Sequence, residues 1–387
     1  MNLLLYIVFW GSVFLLFYTY IGFPFILSAL ARRRKFLFPE TTDQPAVTIV
    51  IAAYNEEKVI REKIESVMKS EYPAEKIHLL IGSDNSNDQT NTIIRELGNR
   101  YPALRLIEFN SRTGKPGVVN VLMKKVTTPL TILTDANVYF TPETIKNLVR
   151  HFHHPQTGLV GGNILNIGLR KDGISIQEKS YIQRENLIKY QEGILWGTMM
   201  GPFGGCYMIR TELYEDVPRG SLVDDFYISM KILQKKFSCL NDLDAICYED
   251  VPNQVKDEFK RKARISTGNF QNLSRFRSFL LHPFTKVGYC FISHKFLRWI
   301  TPLFLLLSFL SSALLSLHSK FYLVMMLGEL LLLFTPFFDR LFHRIGIHIS
   351  IIRFISYFVM MNVALAKGFF LFIRGANSGV WEPTKRV

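Results

Sequence analysis

The sequence is poor in cysteine. Only four cysteines occur among 387 residues, and Cys206, Cys239, Cys247 and Cys290 form no Cys-x-x-Cys pair. A disulfide framework and a structural zinc site are therefore not predicted. We interpret the four residues as reduced core thiols of a protein that faces the cytosol.

Two nucleotide- and metal-binding patterns are also missing. The Gly-x-x-x-x-Gly-Lys-[Ser/Thr] pattern of a P-loop does not occur, which excludes that class of phosphate site. The acidic stretch that starts at Asp84 has glutamine at its sixth position and arginine at its twelfth. An EF-hand loop requires glycine and glutamate there, so a calcium loop of that kind is excluded.

Acidic residues are outnumbered by basic ones. The chain has 46 Lys and Arg against 32 Asp and Glu, for a net charge of +14. Nucleic acid, anionic lipid or a phosphorylated substrate can each explain such an excess. The run Arg32, Arg33, Arg34 and Lys35 directly follows an apolar segment, which favours lipid headgroups.

The amino-terminal segment is long enough to cross a bilayer. Asn2–Ala31 is almost wholly apolar or aromatic, and about 20 such residues suffice for a span. A cleaved signal peptide is the alternative, but no positive residue precedes the apolar run. The basic linker at residues 32–45 predicts that the chain enters the cytoplasm there, by the positive-inside rule.

A second apolar region occupies residues 299–373. Trp299–Leu317 and Phe321–Phe338 are predicted spans. A third stretch, Ile351–Ile373, contains two cations and an asparagine, so it can equally lie in the interface or re-enter the membrane. The number of spans and the side of the tail, residues 374–387, stay open at this stage.

The middle of the chain alternates between strand-like and helix-like stretches. Apolar runs at Ala46–Tyr54, Ile77–Gly82, Leu104–Phe109 and Leu130–Leu133 predict buried strands. Asn55 is expected to cap the first intervening helix. Strands that alternate with helices are typical of a parallel, doubly wound α/β sheet.

The pattern becomes less regular after residue 135. Leu159–Asn163 and Gly204–Arg210 are expected strands, and Ser221–Phe237 is expected to be a loop that enters a helix. Glu258–Leu273 predicts a basic amphipathic helix near the membrane surface. We place all of these elements in one domain over residues 46–275.

The strand at Leu130 predicts a metal site. Asp135 and Asn137 follow it, and ligands in open α/β sheets bind outside the carboxyl ends of the strands. Carboxylate and amide oxygens suit Mg²⁺ or Mn²⁺ together with substrate phosphate. An ordinary Asp/Asn turn is the alternative that these two residues alone would leave open.

Six motifs in sequence order give the chain a family resemblance. They are IAAYNEE at 51–57, SDNSNDQT at 83–90, GKPGVVN at 114–120, DAN at 135–137, VDDF at 223–226 and RKARI at 261–265. The chain resembles membrane-embedded family 2 glycosyltransferases with a GT-A catalytic domain. It is similar to the bacterial synthases of cellulose, hyaluronan and poly-N-acetylglucosamine. The terminal WEPTKR, with Trp381, Thr384 and Arg386, also matches a frequent feature of the family.

The resemblance implies a fold and an activity. The fold is α/β, a GT-A (Rossmann-like, mostly parallel sheet) catalytic domain flanked by transmembrane helices. The activity is inverting transfer of a sugar from a nucleotide sugar, UDP-linked, to a glycan or polyprenyl-linked acceptor, with Mg²⁺ or Mn²⁺ as cofactor. It further implies an integral protein of the bacterial inner membrane with a cytoplasmic catalytic domain, lipid and polysaccharide-export partners, and no nucleic acid.

The resemblance also assigns roles to residues of this chain. Asp225 would be the general base, with Asp224 beside it, and Asp135 the main metal ligand. Asn137 stands where the family usually has a second aspartate, which removes one charge. The nucleotide-sugar site would comprise Ala53, Tyr54, Glu56, Asp84, Lys115, Asn120, Arg261 and Arg264.

One departure weakens the expectation of processive chain growth. The family's Gln-x-x-Arg-Trp motif reads Arg261-Lys-Ala-Arg264-Ile265 here, so the tryptophan that would lie under the acceptor sugar is replaced by isoleucine. An alternative function stays open: a membrane scaffold or transporter component that binds nucleotide sugar without turnover.

The basic run makes the orientation testable. A reporter domain fused after Lys35 should be active only inside the cell, because positive residues next to a span remain cytoplasmic. The measurement compares a reporter that works in the cytoplasm with one that works outside it, both at the same fusion point. Activity of the external reporter alone would reverse the predicted orientation.

Overall fold

A computed structural model of the protein describes residues 2–38, 43–167, 174–250 and 255–375. The chain divides into two compact units. The first comprises Met1–Ala29, Arg170–Glu178 and Asn253–Ala376, and the second comprises Leu30–Leu169, Lys179–Pro252 and Asn377–Val387. Trp381, Thr384 and Arg386 of the terminal motif lie outside the described residues.

Eight strands and fourteen α-helices occur in the described ranges. The strands are β1 (Val47–Ala53), β2 (Ile77–Ser83), β3 (Leu104–Glu108), β4 (Leu130–Thr134), β5 (Val138–Phe140), β6 (Thr157–Ile167), β7 (Cys206–Arg210) and β8 (Ser238–Asp250). The helices are α1 (Asn2–Phe17), α2 (Phe23–Ala31), α3 (Ile60–Met68), α4 (Thr90–Arg100), α5 (Gly114–Met123), α6 (Thr144–Val149), α7 (Ser175–Trp196), α8 (Asp224–Gln234), α9 (Val255–Arg275), α10 (Lys286–Cys290), α11 (Leu297–Trp299), α12 (Thr301–Ser316), α13 (Lys320–Arg344) and α14 (Ser350–Ile373).

The second unit is built on one mixed sheet. Its strand order is β3-β2-β1-β4-β7-β6-β8-β5. β3, β2, β1 and β4 run parallel, β7 is antiparallel to both of its neighbours, β6 and β8 are parallel, and β5 is antiparallel to β8. The predicted mostly parallel α/β sheet is confirmed, and β4 lies in its interior.

Helices cover both faces of the parallel half, which explains its continuous apolar strands. On one face, α3 buries Ile60 and Ile64 in the same core cluster as Ile49 of β1. On the other, α5 approaches β2 so closely that a Cβ at Gly82 would lie 2.4 Å from Val118 Cγ1. Gly82 is therefore required by packing.

Two long elements were not predicted, α7 with 22 residues and β8 with 13, and one expectation needs correction. The cap assigned to Asn55 is wrong, because α3 begins at Ile60 with Val59 as its N-cap residue. Asn55 instead has a positive φ of 53°, and its side chain accepts a hydrogen bond from the Asn87 amide at 3.0 Å.

The first unit contains the apolar helices. Within the described ranges, three helical segments are long and apolar enough to cross a membrane: Leu3–Ala31, Lys320–Arg344 and Ser350–Ile373. Lys286–Trp299 and Thr301–Ser316 form a pair bent by 60° and can add a fourth crossing or a re-entrant loop. The stretch at residues 351–373 thus qualifies as a span, whereas the one predicted at Trp299–Leu317 is half of the bent pair.

The basic helix α9 packs against α14 within this unit. Ser266 Oγ donates to the Leu365 carbonyl at 2.8 Å, and Thr267 Oγ1 donates to the Gly368 carbonyl at 3.2 Å. The sequence analysis counted this helix with the catalytic domain, and that domain boundary stays a prediction. In the structure α9 shares a compact unit with the carboxyl-terminal apolar helices.

Gly82 and Gly98 provide a matched test of the packing of β2 on α5. Gly82→Ala should lower the melting temperature, because overpacking a filled core costs about 1–3 kcal/mol. Gly98→Ala in α4 is the control, since a Cβ there meets nothing within 4 Å, and alanine favours a helix. Thermal unfolding of the purified full-length protein gives the comparison; equal melting temperatures would contradict this account of Gly82.

Candidate active site

Asp84 organises the loop that leads into α5. It follows β2, is almost fully buried, and accepts four hydrogen bonds from three consecutive residues. The donors are Thr113 N at 2.7 Å, Thr113 Oγ1 at 2.9 Å, Gly114 N at 3.0 Å and Arg112 Nε at 3.2 Å. Gly114 has φ +77°, which glycine adopts without strain. A contact of Asp84 with the nucleoside stays a prediction.

An aromatic ring and a guanidinium stack beside this loop. The Arg112 Cζ atom lies 3.2 Å from the centroid of the Tyr54 ring, a cation–π arrangement. Tyr54 follows β1, whose last residue, Ala53, accepts a hydrogen bond from the Asp84 amide at 2.8 Å. The ends of β1 and β2 and the start of α5 thus meet at one edge of the sheet.

Lys115 connects this edge to the end of β4. Its Nζ donates to Asp135 Oδ1 at 2.6 Å. Burial alone would lower the pKa of Lys115, but the carboxylates of Asp135, Asp224 and Asp225 outweigh burial and raise it above its usual value. Lys115 is therefore a fixed positive charge in a site of three carboxylates.

The Asp224–Asp225 pair begins α8. Asp224 is buried, and Asp225 Oδ1 accepts a hydrogen bond from the Phe226 amide at 2.8 Å. Burial, followed by the negative charge of Asp224, raises the pKa of Asp225 to about 6. A carboxylate with such a pKa is mostly ionised at neutral pH and is a stronger base than an ordinary aspartate.

Gly204 leaves space in front of this carboxylate. A Cβ at Gly204 would lie 3.0 Å from Asp225 Oδ2. The adjacent Gly205 carbonyl accepts hydrogen bonds from the Asp135 amide at 3.2 Å and from Thr134 Oγ1 at 2.7 Å. The segment that ends at β7 therefore links the turn at Asp135 to the carboxylate at Asp225.

The side-chain oxygens of Asp135 and Asn137 at this turn are suitable ligands for a divalent metal. Asn137 Nδ2 donates to Glu249 Oε1 at 3.2 Å, so β8 brings a second carboxylate beside the turn. Carboxylate and amide oxygens suit Mg²⁺ and Mn²⁺. Across the described parts of the chain, no group of three or more His, Cys, Asp or Glu side chains is arranged to hold a metal alone. Substrate oxygens would have to complete its coordination.

Two predicted nucleotide-site residues, Asn120 and Glu56, make hydrogen bonds to other parts of the protein. Asn120 Oδ1 accepts from Tyr214 O–H at 2.7 Å and from the Val217 amide at 2.9 Å, and its Nδ2 donates to the Val217 carbonyl at 2.9 Å. Glu56, also buried, has its amide bonded to Thr90 Oγ1 at 2.8 Å. Asn120 thereby fixes the loop before α8, and the binding roles of both residues stay predictions.

Arg261 and Arg264 belong to the first unit, on α9. Arg261 pairs with Glu178 at 2.8 Å and with Glu258 at 2.9 Å, and Lys262 reaches Glu178 at 3.0 Å. Burial alone would raise the pKa of Glu258, but Arg261 and Lys262 outweigh it and lower the value to about 2. Arg261 is held in an ion network inside its own unit, and the diphosphate contacts of Arg261 and Arg264 remain predictions.

The sequence analysis missed two polar residues of this site. Arg112 stacks on Tyr54 and binds Asp84; its place two residues before Gly114 is a local signal that could have revealed it. Glu249 meets Asn137 across 112 residues of sequence, within a strand that was not predicted, so no local pattern identifies it.

Fold and site together define a GT-A-type domain with a carboxylate-rich site at the edge of its sheet. The glycosyl transferase family 2 model matches residues 48–217. Residues 48–217, less than half of the chain, therefore resemble a family 2 glycosyl transferase domain. The match includes Asp84, Lys115 and Asp135 and ends before Asp224 and Asp225.

Relatives and a solved structure agree with this assignment. The chain is 29% identical over 159 residues to a "Beta-monoglucosyldiacylglycerol synthase" of Trichormus variabilis, covering 40% of this chain and 34% of the relative. It is 23% identical over 237 residues to a "Poly-beta-1,6-N-acetyl-D-glucosamine synthase" of Staphylococcus epidermidis, covering 59% and 56%. The chain therefore spans about a third of the length of the first of these relatives.

The solved structure is "Mannosyltransferase PcManGT from Pyrobaculum calidifontis in complex with GDP-Man and Mn2+". The TM-score is 0.71 at 19% identity, with 96% of this chain and 97% of the other covered. At that identity the likeness shows the fold, and the predicted GT-A fold is confirmed.

The pKa of Asp225 leads to a pH prediction. If Asp225 is a base, the transfer rate should fall as the pH drops through about 6, because the protonated carboxyl cannot accept a proton. Asp225→Asn should cost roughly 10²–10⁴-fold in rate with little change in nucleotide binding. Asp216→Asn is the control, an aspartate with a 54% exposed side chain. A wild-type rate in Asp225→Asn would remove Asp225 as the base and make Asp224 the next candidate.

Proposed function

We propose that the protein is an inverting, metal-dependent glycosyltransferase that moves a sugar from a UDP-linked donor to a hydroxyl of a glycan or lipid-linked acceptor at the cytoplasmic face of a bacterial inner membrane. The product belongs to extracellular or capsular polysaccharide synthesis. The names of the relatives support both kinds of acceptor, since one is a glycolipid synthase and the other a polysaccharide synthase.

One observation carries the proposal. Lys115 binds Asp135 at 2.6 Å and is also in the field of Asp224 and Asp225. The residues predicted for diphosphate binding, metal binding and proton removal therefore share one site. A module that only binds nucleotide sugar has no need of the raised pKa of Asp225.

The residues of the site would each take a different role in the proposed transfer. Asp225 would take the proton of the acceptor hydroxyl as the hydroxyl oxygen attacks the anomeric carbon, and the bond to the diphosphate breaks on the opposite side. When the nucleotide sugar binds, its diphosphate oxygens would compete with Asp135 for the Lys115 ammonium, and Lys115 would donate hydrogen bonds to them. Asp135, Asn137 and Glu249 are the candidates to hold the divalent ion. When bound, that ion supplies charge neutralisation for the departing diphosphate.

The location rests on the apolar helices and the basic run. Three helices in the part of the chain that the structure describes are long and apolar enough to cross a membrane. Arg32, Arg33, Arg34 and Lys35 are exposed directly after α2. Positive residues beside a span favour the cytoplasm, where nucleotide sugars are available. This orientation supports transfer from a cytoplasmic donor.

Metal dependence gives the decisive experiment. Asp135→Ala should abolish Mg²⁺- or Mn²⁺-dependent release of nucleotide, because the remaining residue of the turn, Asn137, is neutral. Asn137→Asp is the matched control and should keep activity or bind metal more tightly. Membranes that contain the full-length protein are incubated with radiolabelled nucleotide sugars, UDP- and GDP-linked, and the products are sized. Full turnover in the presence of EDTA would remove the metal from the mechanism.

The same assay discriminates the alternative function. Binding of nucleotide sugar without release of the nucleotide, for every donor and acceptor tried, would support a scaffold or transporter component. Product size separates single addition to a lipid-linked acceptor from polymer synthesis.

A further inference from the structure

A lysine is completely buried beneath the turn that carries Asp135. Lys63 lies on the apolar face of α3, between Ile60 and Ile64, and its relative exposure is 0%. Lysine is almost never fully buried without a compensating partner, because removing an ammonium from water is costly. The partners of Lys63 therefore indicate why the residue is there.

Three groups surround the Lys63 ammonium. Its Nζ donates to Thr134 Oγ1 at 2.9 Å and to the Val138 carbonyl, and it lies 3.6 Å from the centroid of the Phe140 ring. Burial lowers the pKa of Lys63 to about 8, so the side chain still carries its proton at neutral pH. A hydroxyl, a carbonyl and an aromatic face together replace the water around the charge.

These partners stand at the two ends of the turn. Thr134 is the last residue of β4 and Val138 the first residue of β5, with Asp135, Ala136 and Asn137 between them. A single ammonium therefore connects both strands from beneath the turn. If the side chain at position 63 had no N–H donors, both hydrogen bonds that hold the ends of the turn would be lost.

The anchor extends to the segment in front of Asp225. Thr134 Oγ1 accepts from Lys63 and donates to the Gly205 carbonyl at 2.7 Å. The same carbonyl accepts from the Asp135 amide, and the neighbouring Gly204 lies against Asp225 Oδ2. Hydrogen bonds thus run from the core lysine to the backbone beside both carboxylates.

We propose that Lys63 is a positioning residue, which holds the Asp135–Asn137 turn in the conformation that binds the metal–diphosphate end of the donor. This inference rests on the proposed function. Groups that orient metal ligands without touching the metal typically contribute ten- to a hundredfold in affinity. A lysine that only filled the core would change stability and leave that affinity alone.

The test uses two substitutions and one matched control in the full-length protein. Lys63→Met keeps length and volume but removes the donors. With little change of shape, Thr134→Val removes the hydroxyl that accepts from Lys63 and donates to the Gly205 carbonyl. Thr48→Val is the control: Thr48 is likewise buried in the sheet, and its hydroxyl bonds Thr128 Oγ1 at 2.7 Å. All three variants lose a buried hydrogen bond, but only the first two lose it at the turn.

Two readouts are needed besides the melting temperature. The first is the Kd of UDP with saturating Mn²⁺, which should rise roughly ten- to a hundredfold in Lys63→Met and Thr134→Val and stay unchanged in Thr48→Val. The second is amide hydrogen exchange over residues 134–140 without nucleotide, which should accelerate in the same two variants only.

The outcomes separate this inference from the proposed function. If no wild-type nucleotide binding is detected with any metal, the proposed function fails, whereas the exchange rates still test the role of Lys63. If the wild type binds and folded Lys63→Met shows wild-type Kd and exchange, the positioning role is overturned. Should Lys63→Met not fold, wild-type Kd and exchange in Thr134→Val overturn the positioning role, whereas changes in both support the link from Lys63 through Thr134 to Gly205.

Discussion

Three carboxylates at one edge of the sheet impose the main constraint on this structure. Asp135, Asp224 and Asp225 lie close enough to influence the same lysine, and like charges in a partly dry site repel one another. Lys115 relieves that repulsion by direct contact with Asp135. Burial, followed by the negative charge of Asp224, raises the pKa of Asp225, and a raised pKa is the property that a general base needs.

Asn137 stands where the resembling family 2 glycosyltransferases usually have a second aspartate, so one negative charge is lost there. Glu249 approaches Asn137 from β8, which points to a compensation. Neutral asparagine and carboxylate can lie together without the repulsion that two carboxylates would suffer. Arg261 likewise stands where the resembling family has a neutral glutamine. Its positive charge is paired with Glu178 and Glu258 inside the first unit.

Local patterns predicted all four strands of the parallel half of the sheet. In the second half, β6 and β7 lie where strands were expected, whereas β5 and β8 were not predicted. β1 to β4 are continuous apolar runs that alternate with amphipathic helices, so each is visible in its own few residues. α7 instead buries Glu185, Lys189 and Glu192, which weakens its apolar periodicity. The cap predicted at Asn55 was wrong because a residue type that caps helices can serve a loop equally well, as the bond between Asn55 and Asn87 shows.

The amino-acid order alone determined the apolar ends and the basic run after the first of them. It also determined the strand-end placement of Asp84 and Asp135 and the place of the Asp224–Asp225 pair where a loop enters a helix, because these features depend on neighbours in sequence. Tertiary structure decided which polar groups meet. Lys63 binds Thr134 at the turn, 71 residues away in sequence. Asn120 binds Val217, 97 residues away, and Glu249 lies on β8, the next-to-last strand in the order of the sheet. Strand order and helix packing set those encounters, and no local pattern encodes a distance between residues so far apart in the chain.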